Sequence, residues 1–252
     1  MRLDGKIALV TGSSRGIGAA IARRLGREGA AVAVHGRDRD TLGAVARSLR
    51  DEGIRVLETL GDVTRAADLE RMRQVIEGEL GLPDILVANA GANLTRPGMP
   101  LEEIDEADWR ASVDANLTAT FLTLRTFIPG MKRRGGGSIV TLSSAAARRP
   151  ELRSPVAYAA AKAGIELLTR QLAVQLGPSG IRVNCIAPET ILTERNLERI
   201  PPDVRQQLVA AHPVRRLGTP EDVASAALHL VSDESGWVSG VVLDVAGGSV
   251  LV

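Results

Sequence analysis

The chain has 252 residues, of which 44% are apolar and 2% aromatic, and this length suffices for one large α/β domain with a buried core. Its 31 basic and 30 acidic residues leave a formal net charge of +1, so we expect no nucleic-acid partner and no membrane partner. Cys185 is the sole cysteine, which excludes an intramolecular disulfide and a cysteine metal cluster.

The N-terminus runs directly from Met1 into an apolar strand, without the apolar segment and cleavage site of a signal peptide. No uninterrupted apolar stretch approaches the roughly 18 residues that a bilayer crossing requires. Both features predict a cytoplasmic protein. Cys185, at the end of a predicted strand, is interpreted as a small buried thiol rather than a nucleophile.

Short apolar runs alternate with helix-period segments along the whole chain. Strands are predicted over 7–10, 31–34, 55–60 and 85–88, with helices over 17–28, 41–51 and 67–80 between them. Further strands are predicted over 139–142, 182–186 and 241–245, with a long helix after Pro155. This alternation predicts right-handed βαβ units and a parallel sheet. Because no linker interrupts it, we expect a single domain over residues 1–252.

Two stretches depart from this alternation. Residues 92–100, with Gly98 and the prolines Pro97 and Pro100, predict a surface loop. Residues 188–216 contain four prolines and a charged helical piece over 203–211. An insertion after the carboxyl end of a strand is a candidate lid over the edge where open α/β sheets bind ligands, and a mobile surface excursion is the alternative.

A glycine-rich turn follows the first strand. Thr11–Gly18 contains three glycines and leads into a helical run. Such glycines let the backbone approach a pyrophosphate, and the helix N-terminus offers unpaired N–H groups and a partial positive charge. The spacing is Gly-x-x-x-Gly-x-Gly rather than the commoner Gly-x-Gly-x-x-Gly, so a simple tight turn is the alternative for this segment taken alone. We interpret it as a dinucleotide-binding turn.

The residues after the second strand bear on the choice between NAD and NADP. A carboxylate about 20 residues beyond the glycines binds a ribose 2′-hydroxyl, whereas an arginine there accommodates a 2′-phosphate. Arg37 lies just past the strand end and Arg15 lies inside the glycine turn, so two guanidinium groups would converge on a phosphate. This pattern favours NADP(H) over NAD(H), although a different loop register would turn Asp38 toward the ribose.

Tyr158 is the sole tyrosine and stands four positions before Lys162. On a helix, positions i and i+4 share one face, so the phenol and the ammonium would meet there. A phenol has a reference pKa of about 10, and a nearby cation favours its ionised form, which would give a usable proton donor and acceptor. Taken alone, such a pair more often marks an ordinary helix surface.

Several further motifs occur with this pair in a fixed order. The whole set is Thr11–Gly18, Asn89-Ala90-Gly91 after the fourth strand, Asn116, Ser143-Ser144 after the fifth strand, Tyr158 with Lys162, Arg182–Asn184 with Pro188, and the ending 243–248. Together they resemble the short-chain dehydrogenase/reductase family over essentially the whole chain. The resemblance implies a single-domain α/β Rossmann fold, with a doubly wound seven-stranded parallel sheet and helices on both faces, assembled as a homotetramer. It also implies an oxidoreductase that interconverts a ketone and a secondary alcohol.

The resemblance implies a catalytic set of Asn116, Ser144, Tyr158 and Lys162. Tyr158 would exchange a proton with the substrate oxygen while hydride moves to or from the nicotinamide. Lys162 would keep the phenol acidic and bind the nicotinamide ribose, and Asn116 would hold a water that connects Lys162 to solvent. Ser144 would hydrogen-bond the carbonyl oxygen. Ser143 competes for this role, but side chains alternate along a strand and the family pattern favours the second serine.

The resemblance also implies a set of cofactor contacts. Besides Tyr158 and Lys162, these are Gly12, Ser14, Arg15, Gly16, Ile17, Gly18, Arg37, Asp62, Val63, Asn89, Ala90, Gly91, Pro188, Ile191 and Thr193. Asp62 would meet the adenine ring, and Thr193 the nicotinamide carboxamide. A structural turn or cap is the alternative for Asp62 and Asn89, since loops favour Asp and Asn.

Departures from the family pattern bear on the substrate. Glu189 stands where the family commonly has glycine, and its carboxylate would contact a polar substrate or point to solvent. Pro129 and Ser179 hold positions where the similar 3-oxoacyl-acyl-carrier-protein reductases have docking arginines, which disfavours a carrier-bound substrate, although Lys132–Arg134 offers a basic patch.

The three histidines lack ligand spacing, so no metal is expected. A non-catalytic NADP-sensing module on this fold is a further alternative, disfavoured because the whole catalytic set is present.

Overall fold

Seven strands form one parallel sheet in the residues that the structure, a computed structural model, describes: 1–94, 96, 98–152 and 154–251. The strands are β1 (Ile7–Val10), β2 (Ala31–Gly36), β3 (Val56–Leu60), β4 (Ile85–Ala88), β5 (Gly137–Leu142), β6 (Ile181–Pro188) and β7 (Val242–Val245). Their order is β3-β2-β1-β4-β5-β6-β7, and neighbouring strands are parallel. The predicted doubly wound seven-stranded sheet is confirmed.

Helices cover both faces of this sheet. They are α1 (Gly16–Arg27), α2 (Arg39–Asp51), α3 (Ala66–Glu79), α4 (Glu106–Val113), α5 (Ala119–Arg134), α6 (Val156–Leu176), α7 (Glu194–Arg199), α8 (Pro202–Ala211) and α9 (Pro220–Val231). One buried apolar cluster includes Leu25 of α1 and Val223 of α9. A second includes Leu69 of α3 and Phe127 of α5 on the other face. The predicted Rossmann fold with helices on both faces is therefore confirmed.

The strands alternate their side chains between these two clusters. Val10 of β1 belongs to the first cluster and Leu9 to the second, and both are fully buried. A parallel strand that is covered on both faces buries every residue, which explains the near-continuous apolar runs of the sequence. Cys185 is likewise buried within β6, where burial raises the pKa of its thiol to about 11 and keeps it protonated at neutral pH.

The sheet order determines where a ligand can bind. β1 and β4 are neighbours, but the chain extends outward from β1 through β2 and β3, and outward from β4 through β5, β6 and β7. The crevice at the carboxyl ends of β1 and β4 is therefore the topological switch point at which open α/β sheets bind ligands. The glycine turn directly follows β1, and Asn89 directly follows β4.

The two irregular stretches differ in how much of them is described. Pro97 of the predicted surface loop over 92–100 lies outside the described residues, as does Thr95. The segment 188–216 is described throughout and contains α7 and α8, neither of which has a buried residue. Within the described ranges, no helix is both long enough and apolar enough to cross a membrane.

Candidate active site

The turn between β1 and α1 uses glycine where no other residue fits. Gly16 has a backbone φ of 55°, in the left-handed region that disfavours side chains. Gly18 is required for space, because a Cβ there would lie 2.3 Å from the carbonyl oxygen of Gly12. Arg15, the N-cap residue of α1, makes no side-chain capping bond, so the first amides of the helix are left for a ligand. This arrangement suits a phosphate group.

His35 supports the glycine turn from within the sheet, a role that its sequence position did not suggest. It is 2% exposed in β2, and its Nδ1 accepts a hydrogen bond from the Gly12 amide at 3.0 Å. Its Nε2 lies 3.0 Å from the carbonyl oxygen of Gly61, which can only accept. The ring is therefore neutral with its proton on Nε2, and burial lowers the pKa of His35 accordingly. The signal in the sequence was a polar residue inside an apolar buried strand.

Asn89 ties the glycine turn to β4. Its Nδ2 donates to the carbonyl oxygens of Thr11 at 2.9 Å and Gly12 at 3.1 Å. The Thr11 hydroxyl oxygen in turn accepts from the amides of Asn89 and Ala90, each at 3.1 Å. Asn89 therefore has the structural role that the sequence offered as the alternative to a cofactor contact. It also lines the cleft described below.

Arg15 and Arg37 lie at the same end of the cleft. The Arg37 side chain is 75% exposed, and its Nη1 is 3.8 Å from Oδ2 of Asp62. Asp62 in turn holds a loop, since its Oδ1 accepts from the Thr64 amide at 2.9 Å. Asp38 caps α2, and its Oδ1 accepts from the Thr41 amide at 2.9 Å. The Asp38 carboxylate is therefore directed to the start of α2 in this loop register.

Tyr158 and Ser144 meet at the other end of the cleft. Both side chains line the cleft, and Tyr158 is half-buried. Burial raises the pKa of Tyr158, and the neighbouring Ser144 hydroxyl opposes that rise. The adjacent Ser143 is turned away, because its hydroxyl donates to Glu166 Oε1 at 2.9 Å inside the protein. The two serines thus point in the opposite directions that strand alternation predicts.

Lys162 lies one helical turn after Tyr158 on the same face of α6. Its ammonium nitrogen is 5.5 Å from the centroid of the Tyr158 ring and donates to the carbonyl oxygen of Leu142 at 2.8 Å. The side chain is among the buried residues, with 4% of the residue exposed. Burial lowers the pKa of Lys162 to about 8. The sequence predicted that Tyr158 and Lys162 share one face of a helix, but it did not indicate how deeply the ammonium is buried.

Asn116 lies one layer behind the cleft wall, in a π-helical turn over Asp114–Thr118 between α4 and α5. Its Nδ2 donates to the carbonyl oxygens of Ala92 at 2.7 Å and Ser112 at 2.9 Å, whereas its buried Oδ1 has no hydrogen-bond partner. A Cβ at Gly91 would lie 2.7 Å from this Oδ1 and 3.4 Å from Nζ of Lys162. The missing side chain of Gly91 therefore leaves space between an unsatisfied acceptor and the lysine, as π turns often do at functional sites.

One cleft of about 850 Å³ joins these groups. Apart from Asn116, it is lined by every residue predicted to touch the cofactor or the substrate, including Ser14, Ile17, Val63, Ala90, Pro188, Ile191 and Thr193. Thr193 uses its hydroxyl to cap α7 by accepting from the Asn196 amide at 3.3 Å. Arg195 and Asn196 of α7 line the cleft as well, a contribution that the sequence pattern did not indicate. Among the described residues, no cluster of three or more His, Cys, Asp or Glu is placed to hold a metal ion.

Comparison with known proteins places this chain in a class. The family model described as enoyl-(acyl carrier protein) reductase matches residues 12–249. The 7alpha-hydroxysteroid dehydrogenase of Escherichia coli K12 is 38% identical over 251 residues, covering 99% of this chain and 96% of that protein. The cis-4-hydroxycyclohexanecarboxylate dehydrogenase of Sinomonas cyclohexanicum is 41% identical over 243 residues, covering 96% of each.

Solved structures agree with these relatives. A 7alpha-hydroxysteroid dehydrogenase complexed with NADH and 7-oxo glycochenodeoxycholic acid is 37% identical with a TM-score of 0.93, covering 99% of this chain and 96% of that one. The gluconate 5-dehydrogenase of Burkholderia cenocepacia with NADP and tartrate is 33% identical with a TM-score of 0.91, covering 98% and 96%. A 3-oxoacyl-[acyl-carrier protein] reductase of Brucella melitensis with bound NAD is 35% identical with a TM-score of 0.90, covering 100% and 95%.

The protein is therefore an oxidoreductase that acts on hydroxyl or keto groups. More particularly, the chain belongs to the short-chain dehydrogenase/reductase family, as the sequence motifs predicted.

Proposed function

We propose that the protein uses NADP(H) to interconvert a small ketone and the corresponding secondary alcohol. The observation that carries this proposal is that Tyr158 and Ser144 line the same cleft as the glycine turn. A proton-exchanging group and a phosphate-binding turn thus share one cleft. Its volume of about 850 Å³ lies within the range of small-molecule and cofactor sites.

The residues present fit a dinucleotide. A Cβ at Gly18 would fill the glycine turn and collide with the Gly12 carbonyl oxygen at 2.3 Å, and the first amides of α1 have no side-chain cap. The turn and α1 would hold the phosphates, Asp62 and Val63 would bind the adenine, and Pro188 and Thr193 would contact the nicotinamide end. When bound, NADP(H) supplies or accepts the hydride.

Three groups act on the substrate oxygen and its proton. In the reducing direction, Tyr158 donates its phenolic proton to the carbonyl oxygen, and in the oxidising direction it takes the hydroxyl proton back. Ser144 donates a hydrogen bond to the same oxygen, where negative charge develops. Lys162 stabilises the tyrosinate that remains after proton donation, because its ammonium lies on the same face of α6.

Asn116 would hold the water through which a proton returns to the site. Its unpartnered Oδ1 and the Lys162 ammonium face the same space beside Gly91, which is suited to a bridging water. Such a water connects Lys162 to solvent and lets Tyr158 regain its proton after each reduction.

The preference for NADP(H) rests on charge at the adenosine end. Arg15 and Arg37 both line the cleft, and the exposed Arg37 lies 3.8 Å from the Asp62 carboxylate. Planar guanidinium groups bind phosphate through bidentate hydrogen bonds. Asp38, the residue that would favour NAD(H), already caps α2 through Thr41.

The proposal is tested with purified protein, a panel of ketones and both reduced cofactors. We expect ketone-dependent oxidation of NADPH, one alcohol formed for each NADPH consumed, and slower reaction with NADH. Tight NADPH binding without turnover across a broad panel would instead favour the non-catalytic sensing module. Efficient turnover with NADH and none with NADPH would contradict the cofactor preference.

The choice of cofactor is tested residue by residue with Arg37→Ala. Loss of a charged hydrogen bond to the 2′-phosphate should raise the KM for NADPH roughly 10- to 100-fold and leave the KM for NADH nearly unchanged. Arg39→Ala is the matched control, since Arg39 is an exposed arginine at the start of α2 outside the cleft. Equal changes with both cofactors would show that Arg37 does not contact the 2′-phosphate.

A free ketone is favoured over a substrate attached to an acyl carrier protein. An acidic carrier requires a basic docking surface. In the Lys132–Arg134 patch, Arg133 is engaged by Glu77 at 3.3 Å and Arg134 by Asp84 at 2.5 Å. Because two of these three cations are already paired, a direct comparison of a free ketone with an acyl-carrier thioester should favour the ketone.

We also propose that the protein is a cytoplasmic homotetramer. Exposed apolar side chains on α5 and α6, including Phe121, Leu167 and Val174, support an interface between copies. Light scattering coupled to size-exclusion chromatography measures the number of copies directly.

A further inference from the structure

Glu189 and His212 meet at the edge of the cleft, although 22 residues separate them along the chain. Glu189 follows Pro188 at the end of β6 and lines the cleft, and its amide donates to the carbonyl oxygen of Val245 in β7 at 3.2 Å. His212 immediately follows α8 and is 4% exposed. Its Nε2 is hydrogen-bonded to the Glu189 carboxylate. This contact joins the end of the sheet to the last turn of the candidate lid.

Both ring nitrogens of His212 are engaged. Nδ1 lies 2.7 Å from the carbonyl oxygen of Leu208, which can only accept, so Nδ1 carries a proton. Nε2 contacts the Glu189 carboxylate and so links the ring to the end of β6. Glu189 Oε1 is further engaged by the Thr190 hydroxyl at 3.1 Å.

The two helices of the candidate lid are not fixed by buried side chains of their own. None of the residues of α7 or α8 is buried, so apolar packing contributes little to fixing these helices. Backbone bonds hold the two ends of the segment: the Leu192 amide donates to Gly218 at 2.8 Å, and the Val214 amide donates to Gly247 at 2.9 Å. Between these ends, the Glu189–His212 pair connects the C-terminus of α8 to the sheet.

We propose that Glu189 and His212 are a positioning pair that fastens the lid over 188–216 in its closed arrangement above the nicotinamide end of the cleft. The pair acts through the lid and not on the reacting atoms. Loss of either partner releases α8 and, with it, α7, whose Thr193 and Arg195 line the cleft. This inference explains why a carboxylate stands at a position where the family commonly has glycine. Its kinetic consequence rests on the proposed function.

Hydrogen exchange of the whole protein tests the fastening directly and requires no turnover. In His212→Ala and in Glu189→Gln, we expect the amides of α7 and α8 to exchange about tenfold faster than in the unmodified protein, because a charged hydrogen bond no longer closes the lid. The amides of β1 and β4 should be unchanged. Glu189→Gln keeps the shape of the side chain and guards against misfolding of the alanine variant.

His229→Ala is the matched control. His229 lies 4.0 Å from Glu234 in an exposed pair, and neither residue lines the cleft. Its loss should leave the exchange of the lid unchanged. The double variant Glu189→Gln with His212→Ala should exchange no faster than the faster single variant, because the two residues act as one unit. Additive effects of the two changes, or lid exchange equal to that of the unmodified protein, would overturn the inference.

Steady-state kinetics provides a readout that a general loss of stability would not give. A lid that closes less often should raise the KM for the ketone about tenfold, with kcat changed less than about threefold. A fall in kcat at constant KM would contradict a positioning role. If no ketone is turned over by any form of the protein, the proposed function fails, while the exchange experiment still decides whether the pair fastens the lid.

Discussion

Tyr158→Phe should lower kcat for ketone reduction by roughly 10²- to 10⁴-fold, the usual contribution of a positioned acid or base. The substitution removes one oxygen atom and leaves the ring, so the cleft and the packing of α6 are retained. NADPH affinity, measured by fluorescence of the bound cofactor, should change little, because the glycine turn and Arg37 lie at the other end of the cleft. Full activity in this variant would contradict the assigned mechanism.

The adjacent serines provide the control for this prediction. Ser144→Ala should also reduce kcat, since the hydroxyl that is proposed to bond the substrate oxygen is lost. Ser143→Ala should act mainly on stability, because the Ser143 hydroxyl donates to the buried Glu166 at 2.9 Å. A buried acceptor that loses its hydrogen-bond donor destabilises the folded protein by about 1–3 kcal/mol. The reverse pattern in the two variants would reassign the serine role to Ser143.

Gly18→Ala should abolish tight NADPH binding and destabilise the fold. The new methyl group would lie 2.3 Å from the Gly12 carbonyl oxygen and 2.6 Å from Nδ2 of Asn89, so the glycine turn has to move. Crowding of this kind costs typically 1–3 kcal/mol, and the displaced amides no longer match a pyrophosphate. Thermal unfolding and NADPH titration measure the two effects separately.

Gly78→Ala is the matched control for this variant. Gly78 is exposed near the end of α3, and a Cβ there would contact nothing within 4 Å. An alanine in a helix is favoured over glycine by about 0.5–1 kcal/mol, so this variant should be slightly stabilised and bind NADPH normally. Unimpaired NADPH binding by Gly18→Ala would show that the turn is not the phosphate site.

The fold could be predicted from local sequence patterns because each buried strand carries its own signal. The predicted strand over 182–186 lies within β6, which runs from Ile181 to Pro188, and the predicted helix over 17–28 differs from α1 by one residue at each end. The ends of strands are hard to predict from sequence, because turn residues such as Gly36 and Pro188 extend a strand by pairing with a neighbouring strand. Pairing across the sheet is not visible in a local pattern.

The candidate site was predictable where residues follow a strand and unpredictable where distant segments meet. The serines after β5 and the glycine turn after β1 are local features of this kind. His35 reaches Gly12 and Gly61 across the sheet, and Glu189 reaches His212 across the candidate lid. Such contacts join segments 22 or more residues apart in the sequence, so neither periodicity nor motif spacing could indicate them.

The sequence and the structure predict opposite shifts in the pKa of Tyr158. Helical spacing predicts that Lys162 favours the ionised phenol, whereas burial raises the pKa of Tyr158 in the protein without cofactor. The positively charged nicotinamide of NADP⁺ would add a second cation beside the phenol. We therefore expect the cofactor complex, and not the protein alone, to have the acidic tyrosine that catalysis at neutral pH requires.

Titration of the phenol tests this central claim most directly, because Tyr158 is the sole tyrosine and its ultraviolet difference signal has no other source of tyrosinate. In the NADP⁺ complex, we predict a pKa below the reference value of about 10 and a higher pKa in Lys162→Met. A pKa at or above about 10 in the complex, unaffected by loss of Lys162, would contradict the role of Tyr158 as the proton donor and acceptor.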